Sequence, residues 1–221
     1  MRHILLTLAW SWLIAVPLCA QDAEVERAVK DWRDRGARIT QDGPGKPVRI
    51  IDLHRVPVAD KDIAALGKML DAEVVDLSYT QITDASLEHL ARLPKVKLIA
   101  VHGTPISDTG LKHLAQLTKL ETLFLAETKI TSEGLKHLAG LKSLRALDLD
   151  HTGITDDGLS HLATLPELRR LELHHTAVSD RGLAFLEKLQ SLQTVDLFKT
   201  RVTDEGVRRL QKALPRSRII K

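Results

Sequence analysis

Glu172, His174 and His175 stand together in the stretch LELHHTAVSD, and the stretch before it, LDLDHTGITD, carries Asp148 and Asp150. Carboxylates and imidazoles at such spacing can ligate a metal ion, exchange protons as an acid/base pair, or recognise a charged partner. Four sequence features weigh against catalysis. There is no glycine-rich phosphate loop, no H-E-x-x-H, no G-x-S-x-G, and the single cysteine, Cys19, lies in an apolar N-terminal segment. Paired carboxylates such as Asp148 and Glu172 do glycosidase work only where a cleft positions a sugar between them.

The elements that must carry these residues repeat. Cut at Ile50, the chain falls into gapless 24-residue lines, from IIDLHRVPVADKDIAALGKMLDAE to TVDLFKTRVTDEGVRRLQKALPRS, seven in all. Chance does not hold seven lines in register, so the chain is a repeat protein. Ile51, Val75, Ile99, Leu123, Leu147, Leu171 and Val195 form one apolar column, and Leu53 through Leu197 form a second, two residues on. Residues two apart point to one side of a strand, so both columns face inward. A threonine column follows (Thr80, Thr104, Thr128, Thr152, Thr176, Thr200), suited to burying a methyl while its hydroxyl satisfies a turn. The run T-D-x-G-L-x-x-L then reads as a helix start, with Ser or Thr capping free N–H groups and Asp at the positive helix end. Each unit is a strand, a turn, a short helix and a return loop, and only stacking gives it a core.

The pattern L-x-x-L-x-L-x-x-T-x-I-T-D-x-G-L over residues 50–217 resembles the leucine-rich repeat family. It looks most like the ITDxGL variety, which is abundant in exported bacterial proteins and related to the repeats that flank F-boxes in eukaryotic adaptors. Threonine stands where the family most often has asparagine or cysteine, a change of turn detail. With no F-box-like segment, an adaptor role in ubiquitin transfer is not carried over. The resemblance implies an α/β fold: a curved, right-handed solenoid with a parallel sheet on the concave side and short helices on the convex side.

On such a solenoid, strand positions that alternate with the buried leucines face the concave side. One column reads Asp52, Asp76, Ala100, Phe124, Asp148, Glu172, Asp196; the next reads His54, Ser78, His102, Ala126, Asp150, His174, Phe198. His151 and His175 fall one residue further, at the strand exit. Three uses compete for this patch. The first is recognition of a protein partner by Phe124, Asp148, Asp150, Glu172, His174, Asp196 and Phe198, with the two phenylalanines as exposed anchors. The second is a metal site from Asp148, Asp150, Glu172 and His174, against which stands a rigid sheet with no loop to close the shell. The third is plain solubility of a curved sheet. The habit of repeat proteins to bind through the concave face favours the first. No catalytic residue, metal or cofactor is expected. A second histidine column, His89, His113, His137 and His161, belongs to the helix side and reads as a solvated stripe.

The ends complete the organisation. MRHILLTLAWSWLIAVPLCA, residues 1–20, has the layout of a secretory signal peptide cut after Ala20, and its apolar run is short for a spanning helix. A lipid-anchored cysteine wants a small residue before it, whereas Leu18 precedes Cys19. Residues 21–49 read as an N-terminal cap: a helix with Val25, Ala28, Val29 and Trp32 on one face, then a hairpin leading into the repeats. Residues 218–221 are a closing strand. Arg208, Arg209, Lys212, Arg216, Arg218 and Lys221 surround it, either as charge that keeps the edge unpaired or as a contact for anionic lipid or polysaccharide. Loss of residues 1–20 removes Arg2 alone among the charges, taking the formal net charge from +3 to +2. With aromatics at 3%, that argues against nucleic acid. The reading is an exported monomer (periplasmic, surface or extracellular) with no stable membrane insertion, a non-catalytic binder of an unidentified protein partner. The alternative is a structural or carbohydrate-contacting envelope protein.

Overall fold

The computed structural model describes residues 20–43 and 45–221. The signal-peptide reading of residues 1–20, and with it Cys19, falls almost wholly outside the described residues.

Among the described residues, nine strands form one sheet in sequence order. β1 (Arg38–Gln41) runs antiparallel to β2 (Val48–Asp52). From there every neighbour is parallel: β3 (Val74–Asp76), β4 (Leu98–Ala100), β5 (Thr122–Phe124), β6 (Ala146–Asp148), β7 (Arg170–Glu172), β8 (Thr194–Asp196) and β9 (Arg218–Ile220). The parallel register advances by 24 residues at each step, Asp148 against Glu172 and Glu172 against Asp196. Each strand from β2 to β8 is followed by a short α- or 3-10 helix that packs on its equivalents. α1 (Ala20–Asp34) precedes the sheet. α2 (Asp60–Ile63), α3 (Asp84–Leu90), α4 (Asp108–Leu114), α5 (Asp156–Leu162), α6 (Asp180–Leu186) and α7 (Asp204–Ala213) follow, with 3-10 turns at Ala64–Lys68 and Gly134–Leu138. This is the α/β solenoid expected from the period.

The core lies between sheet and helices. Ile51, Val75, Ile99, Leu123, Leu171 and Val195 are fully buried, as is the whole column from Leu53 to Leu197. Each such side chain stabilises by about 1.5–3 kcal/mol, but only because the rung above and the rung below cover it. At the N-terminal end α1 does the covering: Val29 and Trp32 are buried, and Val25 and Ala28 pack on the core.

Threonines lock each turn. Thr80, Thr104, Thr128, Thr152, Thr176 and Thr200 donate from Oγ1 to the carbonyl three residues back, at 2.5–2.7 Å. The residue just before this position is left-handed in every rung: Arg55, Tyr79, Gly103, Glu127, His151, His175 and Lys199 have φ of 53–60°.

The T-D pair does something the sequence reading did not anticipate. The Ser/Thr hydroxyls do cap, though at 3.1–3.4 Å, and Thr155 makes no cap bond. The aspartate's main work is across rungs. Asp84 accepts from both the backbone N–H and the hydroxyl of Ser107, at 2.7 and 2.6 Å. Asp60 does the same for Thr83, Asp108 for Thr131, Asp156 for Ser179 and Asp180 for Thr203. Ser132 replaces aspartate in one rung and keeps a single-oxygen version toward Thr155.

The glycine of T-D-x-G-L follows from this ladder. A Cβ at Gly206 would lie 2.1 Å from Asp180 Oδ1, and one at Gly110 would lie 2.5 Å from Asp84 Oδ1. Where the chain has Ser86 instead, its hydroxyl donates to Asp60 at 2.6 Å. Burial opposes ionisation of Asp60, but the bonds from Ser86 and Thr83 outweigh it and hold the carboxyl below its usual range.

Two outcomes test this account. Gly206→Ala is expected to cost about 1–3 kcal/mol alone but less than about 1 kcal/mol in an Asp180→Ala background, where α7 even gains from alanine. Denaturant unfolding of the double-mutant cycle measures this, and additive effects would remove the steric link. Leu149→Asp, an unpaired charge in the shared core, should cost more than about 4 kcal/mol; an unchanged thermal midpoint would contradict the inward column.

Candidate functional site

β4 to β8 carry their sheet-face residues in lateral register, so the two sequence columns become two adjoining rows. The aspartates at the strand ends have a local duty first. Oδ1 of Asp52, Asp76, Asp148 and Asp196 accepts the backbone N–H two residues on, at 2.8–3.0 Å, and so shapes the exit from each strand. Asp150 bonds sideways, accepting the backbone N–H of His174 at 2.7 Å. Asp148, Asp150 and His174 are thus chained through backbone amides across two rungs.

The carboxylates crowd as a result. One oxygen from each of Asp148, Asp150 and Glu172 lies within 4.8 Å of the others. Glu172 has Arg170 beside it, whose Nε donates at 2.7 Å. The imidazoles stand at the margin of hydrogen-bond reach: His102 Nδ1 is 3.7 Å from Asp148 Oδ2, and His174 Nδ1 is 3.9 Å from Asp150 Oδ2. Burial is the main force on the acids. It drives the Asp150 carboxyl up to about 7, assisted by the negative charges of Asp148, Glu172 and Asp196 and opposed by the His174 amide. Burial also raises Asp148, against its bond from the Asp150 amide and with help from Glu172.

Aromatic rings bracket this centre. His102 stacks on Phe124 with centroids 5.3 Å apart, and His174 tilts against Phe198 at 5.2 Å. His151 and His175 stack at 4.4 Å along the left-handed rim. Burial first, then the neighbouring His151 and Lys199 charges, push His175 below the ordinary histidine range.

Of the seven residues expected here, Asp148, Asp150, Glu172 and His174 meet in one group, while Phe124 and Phe198 flank it and Asp196 borders it. Four expectations need correction. Phe124 is half-buried, because His102 covers its face, so Phe198 at 45% exposure is the one open phenylalanine of the pair. Asp148 does not project into solvent; it is 7% exposed, held down by its own turn bond. The metal-ligand set is also narrower than expected, since the converging group has three carboxylates without His174. Nor is the helix-side histidine column fully solvated. His89, His113, His137 and His161 are half-buried, and burial lowers the pKa of His137.

Tyr79 was missed. It is 41% exposed, its hydroxyl donates to Glu127 Oε1 at 3.2 Å two rungs away, and Arg55 sits 5.3 Å above its ring. Gly103 makes that reach possible, since a Cβ there would lie 2.5 Å from the tyrosine ring. The signal was available: Gly103 is the lone glycine in a column of larger side chains, one rung after the lone tyrosine.

A family model described as leucine-rich repeat matches residues 140–163 and 188–210. No curated protein matches the chain. Among solved structures, internalin C2 of Listeria monocytogenes is similar at 25% identity with a TM-score of 0.67, over 92% of this chain and 82% of the internalin. A second internalin of the same organism, inlF, is similar at 21% identity and a TM-score of 0.56, over 72% of this chain; the match spans half of that protein and shows the fold alone.

The raised Asp150 makes a pH prediction. Its folded value, about 7, lies above the ordinary 3.8, so its contribution to stability is whole in acid and is lost as pH rises through about 7. Asp150→Asn keeps an acceptor for the His174 amide and removes that loss. It should stabilise the protein by about 1–2 kcal/mol near pH 8 and change little near pH 4, as followed by thermal unfolding. Equal effects at both pH values would contradict the crowding.

Proposed function

We propose that this chain, a member of the leucine-rich repeat family, is a non-catalytic binding module that takes a protein partner on the concave, strand-bearing side of its solenoid. Members of the family are typically interaction modules and not enzymes, which supports the general role. The observation that carries the specific one is the strip from His102 and Phe124 to His174 and Phe198. It joins an open aromatic face, imidazoles and under-compensated carboxylates in one lateral array. Aromatic anchors beside buried polar groups are where interfaces concentrate their energy. A rigid sheet presents them pre-ordered, so little conformational entropy is lost on docking.

The leader-like residues 1–20 support export of the module. Among the described residues no helix is long and apolar enough to cross a membrane. The second reading, contact with an anionic surface, draws on the C-terminal end. Arg208, Arg209 and Lys221 are engaged by Glu205, Glu187 and Asp204, but Lys212, Arg216 and Arg218 make no ion pair among the described residues.

The test is capture from envelope and culture-medium extracts with residues 21–221 as bait. A second bait carries Phe124→Ala, Glu172→Ala, His174→Ala and Phe198→Ala, with its fold checked by circular dichroism. A protein retained at least ~10-fold better by the native face is expected. Equal retention by both baits, together with loss in a Lys212→Ala, Arg216→Ala, Arg218→Ala bait, would replace this reading by the second.

A further inference from the structure

Where the return loops enter the sheet, the strand starts carry a ladder of charge. Glu73 takes Arg49 at 3.2 Å and Lys97 at 2.7 Å, and Glu121 takes Arg145 at 2.8 Å while also facing Lys97. Positive and negative thus alternate from Arg49 to Arg145, each sign neutralised by the next. The following rung breaks the rule. Arg169 hydrogen-bonds through its backbone to Arg145 at the position where the alternation calls for a carboxylate, and Gln193 comes next with no charge at all. Like charges set side by side repel, so the fold alone gives no reason for the break.

A second departure stands two rungs on. The residue before each ladder position is a buried aliphatic in every rung from Val48 to Leu192, but in the last rung it is Arg216, which is exposed while Leu214 fills the core instead. Both departures meet in one place. Three depressions between the return loops share Gln190 and run together as an open trough. Lys188 lines one end, Arg169 the centre, and Arg216 the centre and the far end. Glu167 is the carboxylate among these groups, and it stands 3.5 Å from Arg169 with both side chains half-exposed, a pair worth little in water. Lys188 and Arg216 make no ion pair among the described residues.

We propose that this trough binds a linear acidic polysaccharide, whose carboxylates seat on Arg169 and Arg216 and whose hydroxyls bond the amide side chains between them. Charge selects an anion, since Lys188, Arg169 and Arg216 outnumber Glu167. Arginine forks grip a planar carboxylate through two parallel hydrogen bonds. Strands repeat at about 4.8 Å, so the two arginines stand about 10 Å apart at the backbone, a spacing that suits carboxylates strung along a polymer better than one small oxyanion. Gln190 spends one N–H on the Glu187 carbonyl and keeps its oxygen, and Gln193 is exposed beside it. Such amides both donate and accept, as sugar hydroxyls do, whereas an acidic peptide offers its side chains as acceptors alone. The cations line a recess, and a flat bilayer meets protruding groups first. The trough is built from return loops and not from the sheet face, so binding here does not depend on the docking reading, and it shares Arg216 alone with the anionic-surface reading.

The experiment titrates the full chain with hexagalacturonate by calorimetry at about 0.15 M salt, where distant charges are screened. Hexaglutamate and vesicles of anionic phospholipid are the other arms. Hexagalacturonate is expected to bind, and Arg169→Gln with Arg216→Gln to weaken it at least ~10-fold. Lys199→Gln with Arg201→Gln removes the same charge at the opposite end of β8 and is expected to change the affinity less than ~2-fold. Arg169→Glu completes the alternation beside Arg145. It should abolish binding and leave the thermal midpoint unchanged or higher, a split that a merely structural arginine does not give. No binding of hexagalacturonate, or equal losses in the two double variants, would overturn the trough as a site. Tighter binding of hexaglutamate would replace the polysaccharide by an acidic peptide, and retention by the vesicles alone would assign these cations to a lipid surface. None of these results bears on capture of a protein by the concave face.

Discussion

The bond from each aspartate to the serine or threonine one repeat further on is the constraint from which the rest of the structure follows. A solenoid has no distant contacts to correct a slip; each rung sees its neighbours alone. Apolar stacking is non-directional and would tolerate small displacements. The paired acceptor of Asp84 or Asp180, taking an amide and a hydroxyl at once, tolerates almost none. It fixes the rise between rungs on the helix side, as the strand hydrogen bonds do on the sheet side. It also dictates the glycine of the following rung, because the carboxylate fills the space where a Cβ would be.

Register of this kind has a cost on the opposite face. Side chains of equivalent position are brought side by side whether or not they suit each other. Asp148, Asp150 and Glu172 are held together in this way, and burial and mutual repulsion press two of them toward the neutral form. A chain selected for stability alone would separate them or interpose a cation, as Arg170 does for Glu172 alone. The strain is confined to one stretch of β6 and β7. Elsewhere the ladder acids keep hydrogen bonds that hold Asp60 and Asp180 in the ionised form.

How much of this could be read in advance divides along physical lines. The period, the inward columns and the threonine turns were legible, because apolar spacing and turn chemistry act locally and repeat seven times. The rows of the sheet face were legible too, since a gapless period fixes lateral neighbours. What escaped depended on side-chain reach between rungs. The aspartate ladder spans 23 residues, Tyr79 crosses Gly103 to Glu127, and His102 lies down on Phe124. A column alphabet gives positions and says little about rotamers. For that reason Phe124 was expected in the open, and the bond that Asp148 accepts from the Asp150 amide was not foreseen.

The left-handed rim has a bearing on how such a protein can change over generations. Holding an L-residue at positive φ costs about 1 kcal/mol, and glycine would relieve it. Yet arginine, tyrosine, glutamate, histidine and lysine all occupy the position, with glycine present only beneath the tyrosine ring. Because the backbone there is dictated by the rungs and not by the side chain, each rim residue except Gly103, which the Tyr79 ring covers, can be rewritten without disturbing its neighbours' fold. The rim is an editable line of text on a fixed page, and mutation can explore its wording one letter at a time.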